Sequence, residues 1–316
     1  MVRILNREIE RGKKSSMGKL VECVPNFSEG RRPEVIEAIV AEVKKVSGVK
    51  LLDVKPDASH NRTVVTFVGE PQSVKLAAFN ACSKACELID MEQQQGGHPR
   101  VGATDVVPFI PVKDVSMEEC VQLANELGSE IASKLGIPVY LYEEAAKVPS
   151  RKRLPDVRKG EYEGLKEEIS KPERHPDYGK PQMHPTAGAT VVGARQFLVA
   201  YNINLGTSDL KIAQKIANSI REVKGGFKYV RAMGVMLEDR NIAQVSINMV
   251  DYTGTPLFRV FEAVKSEAAR YGVNIIGSEL IGVTPLQALL DVAEFYLRLE
   301  NFDRKQVFEE NLNEDY

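Results

Sequence analysis

Neither sign of charge is in excess in this chain: 42 lysines and arginines stand against 44 aspartates and glutamates, a formal net charge of -2. Such a balance offers no global attraction to nucleic acid or to an acidic membrane, so any basic site must be local. No apolar run is long enough to span a bilayer. Residues 1–18 mix Arg, Lys and Glu without an apolar signal-peptide core and read as an N-terminal extension, with Met17 as an alternative start. The four cysteines, Cys23, Cys82, Cys86 and Cys120, form no CxxC pair, and the four histidines lie far apart in sequence, so no metal site is expected. Reduced thiols and a cytoplasmic location are the corresponding expectation. GxSxG elbows, P-loops and GxGxxG turns are all missing, and no cysteine has a histidine close in sequence. Thiol catalysis therefore has no positive support.

What is present is 316 residues, enough for two ordinary cores, in a regular alternation of strand and helix patterns. Strands are expected at 20–24, 49–54, 63–68, 105–111 and 138–142, with helices at 33–46, 71–89 and from Ser116, whose spacing to Glu119 is that of a capping box. Residues 144–194 break the pattern: a brief helix falls within 154–165, and a Pro- and Gly-rich passage from Lys171 to Gly193 reads as an ordered loop lining a cleft. The second half repeats the order, with strands at 196–205, 230–238, 243–250 and 274–277 and helices at 208–222, 256–271 and 285–299. The expectation is an α/β (α+β) protein of two ferredoxin-like βαββαβ lobes, residues 19–194 and 195–316, with a ligand cleft between them.

Chemistry concentrates first at residues 95–105. A helical pattern ends at Asp90, a β-type run begins near Asp105, and Gly96 and Gly97 permit backbone angles closed to other residues. Pro99 stiffens the turn that presents His98 and Arg100. A histidine beside a guanidinium suits a general base paired with an anchor for a carboxylate. The strand-end residues Asn26, Asp57, His60, Asn61 and Arg62 are candidates to approach it. In the second half, Gln244, Ser246 and Asn248 line one face of a strand, and Asn202 and Asn204 form a similar row. Neutral amides in line suit a directional ligand, and equally an exposed sheet face.

At these residues the chain resembles the glutamate formimidoyltransferases, including the transferase part of the bifunctional formimidoyltransferase-cyclodeaminases. The matching stretches are LVECVPNFSEG at 20–30, NRTVVTFVG at 61–69, GHPRVGATDVVPFIP at 97–111, PVYLY at 138–142, GEYEG at 160–164, YNINL at 201–205 and GSELIG at 277–282. The resemblance implies transfer of a formimidoyl group from N-formimidoyl-L-glutamate to tetrahydrofolate, a co-substrate, in histidine breakdown, with His98 as the base. It places the folate loop at Gly179, Lys180, Pro181, Gln182, Met183, His184, Pro185, Thr186, Ala187 and Gly188, with Asn202 and Asn204 added from the polar rows. Asn26, Asn61, Arg62, Gln244 and Asn248 are assigned to the substrate, and Arg100 to an anionic ligand group. The family pattern has an acid directly after Val54; Lys55 stands there, and Asp57 is expected to take its place. A homodimer is implied, and a chain ending at Tyr316 is expected to act alone or beside a separate cyclodeaminase. The same cleft would accept a formyl group from 5-formyltetrahydrofolate, and a folate-binding protein without turnover is the alternative from outside the enzymes.

Overall fold

The computed structural model describes residues 18–310; residues 1–17 of the N-terminal extension lie outside the described residues. The chain divides into two compact units, one ending at Arg195 and the other beginning at Gln196.

In the first unit the strands are β1 (Leu20–Cys23), β2 (Asn26–Phe27), β3 (Val49–Asp57), β4 (Arg62–Gly69), β5 (Thr104–Lys113), β6 (Val139–Glu143) and β7 (Thr190–Ala194). Both β1 and β2 lie between β4 and β5 and are antiparallel to each, because Val24-Pro25 interrupts what is otherwise one strand. The lateral order is β3, β4, β1/β2, β5, β7, β6, with the last three parallel. Helices α1 (Pro33–Lys44), α2 (Pro71–Leu88) and α3 (Met117–Leu135) close the βαββαβ plan. Their apolar stripes, among them Ile39, Ala78, Ala81, Leu127 and Ile131, pack on Phe27, Phe67 and Phe109 of the sheet. Ser116 and Glu119 form the expected capping box, and Gly136 ends α3 in the left-handed region at φ 70°.

The segment 144–194 is more structured than its composition suggested. Two short helices, α4 (Leu154–Val157) and α5 (Glu161–Glu168), bury Val157 and Leu165 with Val106, Tyr140, Tyr142 and Val191 in a second cluster. Its end, expected as loop, is the strand β7, wholly buried between β5 and β6. A five-residue strand covered on both faces has no alternation to reveal it, and Gly193 disguises it further. That glycine is required by contact, since a Cβ there would lie 2.4 Å from the Tyr142 ring.

The second unit contains β8 (Val199–Leu205), α6 (Leu210–Ile220), β9 (Val230–Leu237), β10 (Ile242–Met249), α7 (Leu257–Ala269), β11 (Ile275–Ile281) and α8 (Leu286–Leu297). Its antiparallel sheet runs β11, β8, β10, β9, the ferredoxin-like order. Ile216, Ile220, Val260 and Val264 of the helices pack against Ile203, Val245, Ile247 and Met249. β11 extends four residues beyond its expected end at Gly277, after an irregularity between Ile275 and Gly277 that shifts the register.

Candidate functional site

The site in the first unit begins with a turn. Asp57 closes β3 and Arg62 opens β4, the two being register partners, and Asn61 between them adopts φ 48°. Asparagine tolerates this left-handed conformation better than most residues. Its side chain is fully engaged: Oδ1 accepts from the Gly30 amide at 2.9 Å and Nδ2 donates to the Gln95 carbonyl at 2.9 Å. Asn61, expected to meet substrate, thus ties three loops together. The loop bearing His98 approaches so closely that a Cβ on Gly96 would lie 2.2 Å from the His60 carbonyl oxygen. Gly96 is therefore needed for space and Gly97, which faces nothing within 4 Å, is not; neither adopts a positive φ.

This packing brings Arg62 to His98, with Nη1 2.5 Å from Nε2. A guanidinium only donates, so Nε2 is the acceptor and the ring proton resides on Nδ1. Burial, and then the charges of Arg62 and Arg158, push the imidazole down to about 3, leaving it neutral. Arg158, which follows α4, donates to both oxygens of the buried Asp105 through Nε and Nη2. Asp105 also accepts from the Val101 amide at 3.0 Å. Burial raises its carboxyl while Arg158 opposes that rise. The Arg62 guanidinium lies directly on the ring, and its charge together with that of Arg158 disfavours the imidazolium.

Asp57 is engaged elsewhere than expected. Its carboxylate meets His60, with Oδ2 2.6 Å from Nδ1 and Oδ1 accepting from the His60 amide at 2.9 Å. Burial opposes ionisation of Asp57, but these hydrogen bonds outweigh it and hold the carboxyl below its ordinary value. His60 in turn stands edge-on to His98, ring centroids 6.3 Å apart. Asn26 lies on β2 opposite Val64 and Val106, and its Nδ2 donates to the Val24 carbonyl.

Arg100 points into a different group. Its Nε donates to Gln94 Oε1 at 2.9 Å, Nη1 to Glu161 and Glu163 at 3.0 Å, and Nη2 to Glu163 at 2.7 Å. The Gly160–Gly164 motif thus satisfies the guanidinium from within the protein. Arg62, rather than Arg100, is the guanidinium at His98.

Residues 179–188 are bound to the strand that follows His98. The Ala103 amide donates to the Ala187 carbonyl and the Met91 amide to Thr186, both within 2.9 Å. His184 closes the loop, its Nδ1 accepting from the Ala187 amide at 3.0 Å. Gly179, Lys180, Pro181 and Gln182 are exposed along the loop, Pro185 and Thr186 likewise, while Met183 is partly covered and packs against the core.

In the second unit the polar rows join in a network. Gln244 Nε2 donates to Asn204 Oδ1 at 2.8 Å and to Glu279 Oε1 at 2.7 Å. Asn202 reaches the same carboxylate at 3.5 Å. Gln244 and Asn204 are buried and Asn248 is exposed, so the row is graded rather than uniformly solvated.

Residues 20–195 match the formiminotransferase domain, N-terminal subdomain, and residues 200–312 match the formiminotransferase domain. The chain belongs to the formiminotransferase family. It is 54% identical to the glutamate formimidoyltransferase of Streptococcus pyogenes serotype M1, covering 94% of this chain and 99% of that one. The glutamate formimidoyltransferase of Thermoplasma acidophilum is 47% identical over 93% of this chain and 97% of its own length. Against the formimidoyltransferase-cyclodeaminase of Gallus gallus the identity is 50%, over 90% of this chain and 53% of that protein. Among the described residues of this formiminotransferase-family chain, no helix is long and apolar enough to cross a membrane.

Two functional candidates, Arg158 and Glu279, escaped the sequence reading, and the role of a third, His60, was missed. Arg158 sits in a segment with no pattern, and only the buried charge of Asp105 could have asked for such a partner. His60 was noticed for its position but not as the partner of Asp57. Glu279 lies in the GSELIG stretch at 277–282, where nothing in the spacing shows that its carboxylate organises Gln244 and Asn202.

Proposed function

We propose that this enzyme transfers a formimidoyl group from N-formimidoyl-L-glutamate to tetrahydrofolate, giving 5-formimidoyltetrahydrofolate and L-glutamate in histidine degradation. One observation supports the chemistry above all: His98 is neutral, with the lone pair of Nε2 directed at the Arg62 guanidinium. In this reading His98 Nε2 accepts the proton of the attacking amine as that nitrogen adds to the formimidoyl carbon. His98 then returns the proton to the glutamate nitrogen as its bond to that carbon breaks. Arg62 and Arg158 meet the glutamate carboxylates. The loop at 179–188 holds folate; in the second unit Asn202 and Asn204 are the amides assigned to folate, and Gln244 and Asn248 those assigned to the substrate.

Asp57 acts through His60 in this scheme, and Arg100 holds the loops. Four free cysteines suit a reducing cytoplasm. We assign a homodimer.

The test is a transfer assay with wild type beside His98→Ala. Loss of about 10²–10⁴ in kcat with folate binding retained is expected. Full activity in a folded variant refutes the base, and folate binding without turnover in either protein makes this a binding protein.

A further inference from the structure

The base of the proposed reaction is obstructed. The lone pair on His98 Nε2 that must receive a proton already accepts a hydrogen bond from Arg62 Nη1, 2.5 Å away. Arg62 feels the charges of Asp105 and Asp57, but its hydrogen bond goes to the base and to neither carboxylate. Arg62 is half-buried at the start of β4, and the buried carboxylate that acts on it, Asp105, is taken up by Arg158 and the Val101 amide. The charged and titratable groups facing His98 are Arg62 from β4, Arg158 beyond α4, Asp105 from β5, and the His60–Asp57 pair from the β3–β4 turn. Asp57 is committed to His60. Each carboxylate is thus hydrogen-bonded to a group other than Arg62, and the Arg62 guanidinium rests on the base.

A carboxylate is a stronger partner for a guanidinium than a neutral imidazole is, because both groups are charged and the geometry permits two parallel hydrogen bonds. We propose that Arg62 is a carboxylate-operated latch on His98: in the free protein it caps Nε2, and a carboxylate of the donor substrate draws it away and frees the lone pair. The proposal rests on the reading of His98 as the base. It makes carboxylate recognition part of catalysis, since a donor without that group leaves the base capped. It also explains how so weakly basic an imidazole takes a proton: the same carboxylate that removes Arg62 also offsets the positive field around the ring.

The experiment is a ¹⁵N NMR titration of the His98 imidazole, in the full-length wild-type protein and in Arg62→Gln and Arg62→Lys, with and without L-glutamate and no folate present. The uncharged diamide of glutaric acid is the control. In free wild type the ring is expected to stay neutral below pH 5 with its proton on Nδ1. L-glutamate, at concentrations that inhibit transfer, is expected to raise the titration midpoint by at least one pH unit, a tenfold gain in proton affinity; the diamide is expected to leave it unmoved. In Arg62→Gln the midpoint is expected to start high and to respond less. Arg62→Lys, which retains the charge but not the two-pronged geometry, is expected to respond at higher glutamate concentrations. An unchanged wild-type midpoint at inhibiting glutamate overturns the latch, as does an Arg62→Gln protein that titrates like wild type. Failure of the underlying reading is recognised separately: full transfer activity in His98→Ala removes the base whatever the titration shows.

Discussion

Gly102 and Gly188 face each other across an isolated antiparallel bridge that joins the strand after His98 to the end of the loop at 179–188. The approach is close enough that a Cβ on Gly102 would stand 2.0 Å from the Ala189 carbonyl oxygen, and Gly188 itself has φ 72°. The segment that follows the candidate base and the candidate folate loop are therefore packed backbone to backbone, with no room for a side chain between them.

Gly102→Ala is expected to separate the two. Backbone cannot yield as a flexible side chain does, so the substitution should cost about 1–3 kcal/mol, the range of overpacked sites. Chemical denaturation measures that loss. Isothermal titration with folate should show affinity reduced several-fold in the folded variant, and unchanged affinity would disconnect the loop from folate.

Arg100→Ala distinguishes a structural cation from an anion anchor. This guanidinium bonds Gln94, Glu161 and Glu163, and the two glutamates are exposed enough to be hydrated once it is removed. The buried Gln94 is not, and a loss of about 1–3 kcal/mol is expected. KM for N-formimidoyl-L-glutamate should stay within about twofold of wild type, roughly 0.4 kcal/mol of binding. A tenfold rise in KM with an unchanged melting temperature would return Arg100 to the substrate.

Glu22 sets a pH dependence unrelated to catalysis. It lies on β1 between Val68 and Ile110, and burial drives its carboxyl from 4.5 up to about 7 against the opposing charge of Arg195. The folded protein thus holds this proton more tightly than the unfolded chain does. Its contribution is complete below pH 4.5 and is lost as the pH rises through 7, a difference of about 3 kcal/mol. Glu22→Gln should match wild type near pH 4.5 and exceed it in thermal stability at pH 8. His98 acts in the opposite sense: its lowered value costs stability as the pH falls from 6.5 toward 3. An Arg195-dominated site, in which Glu22→Gln is less stable at pH 8, is the result that would reverse the Glu22 assignment.

Periodicity and turn chemistry alone determined that the chain makes βαββαβ twice, because helix stripes such as Val35-Ile36-Ile39-Val40-Val43 and the alternation in 242–249 are local properties. The ordered motifs, read together, were enough to name the family. The same local reading picked out His98 and its glycines. Which residues stand around His98 was decided by tertiary structure. Arg62 lies 36 residues away and Arg158 farther still, and only the pairing of β3 with β4 and the packing of α4 against the sheet bring them there. Sequence proximity suggested Arg100, whose guanidinium turns away because Glu161 and Glu163 offer it carboxylates that a two-residue spacing does not reveal. Charge partners are chosen through space, so a site built on them becomes legible only once the chain is folded.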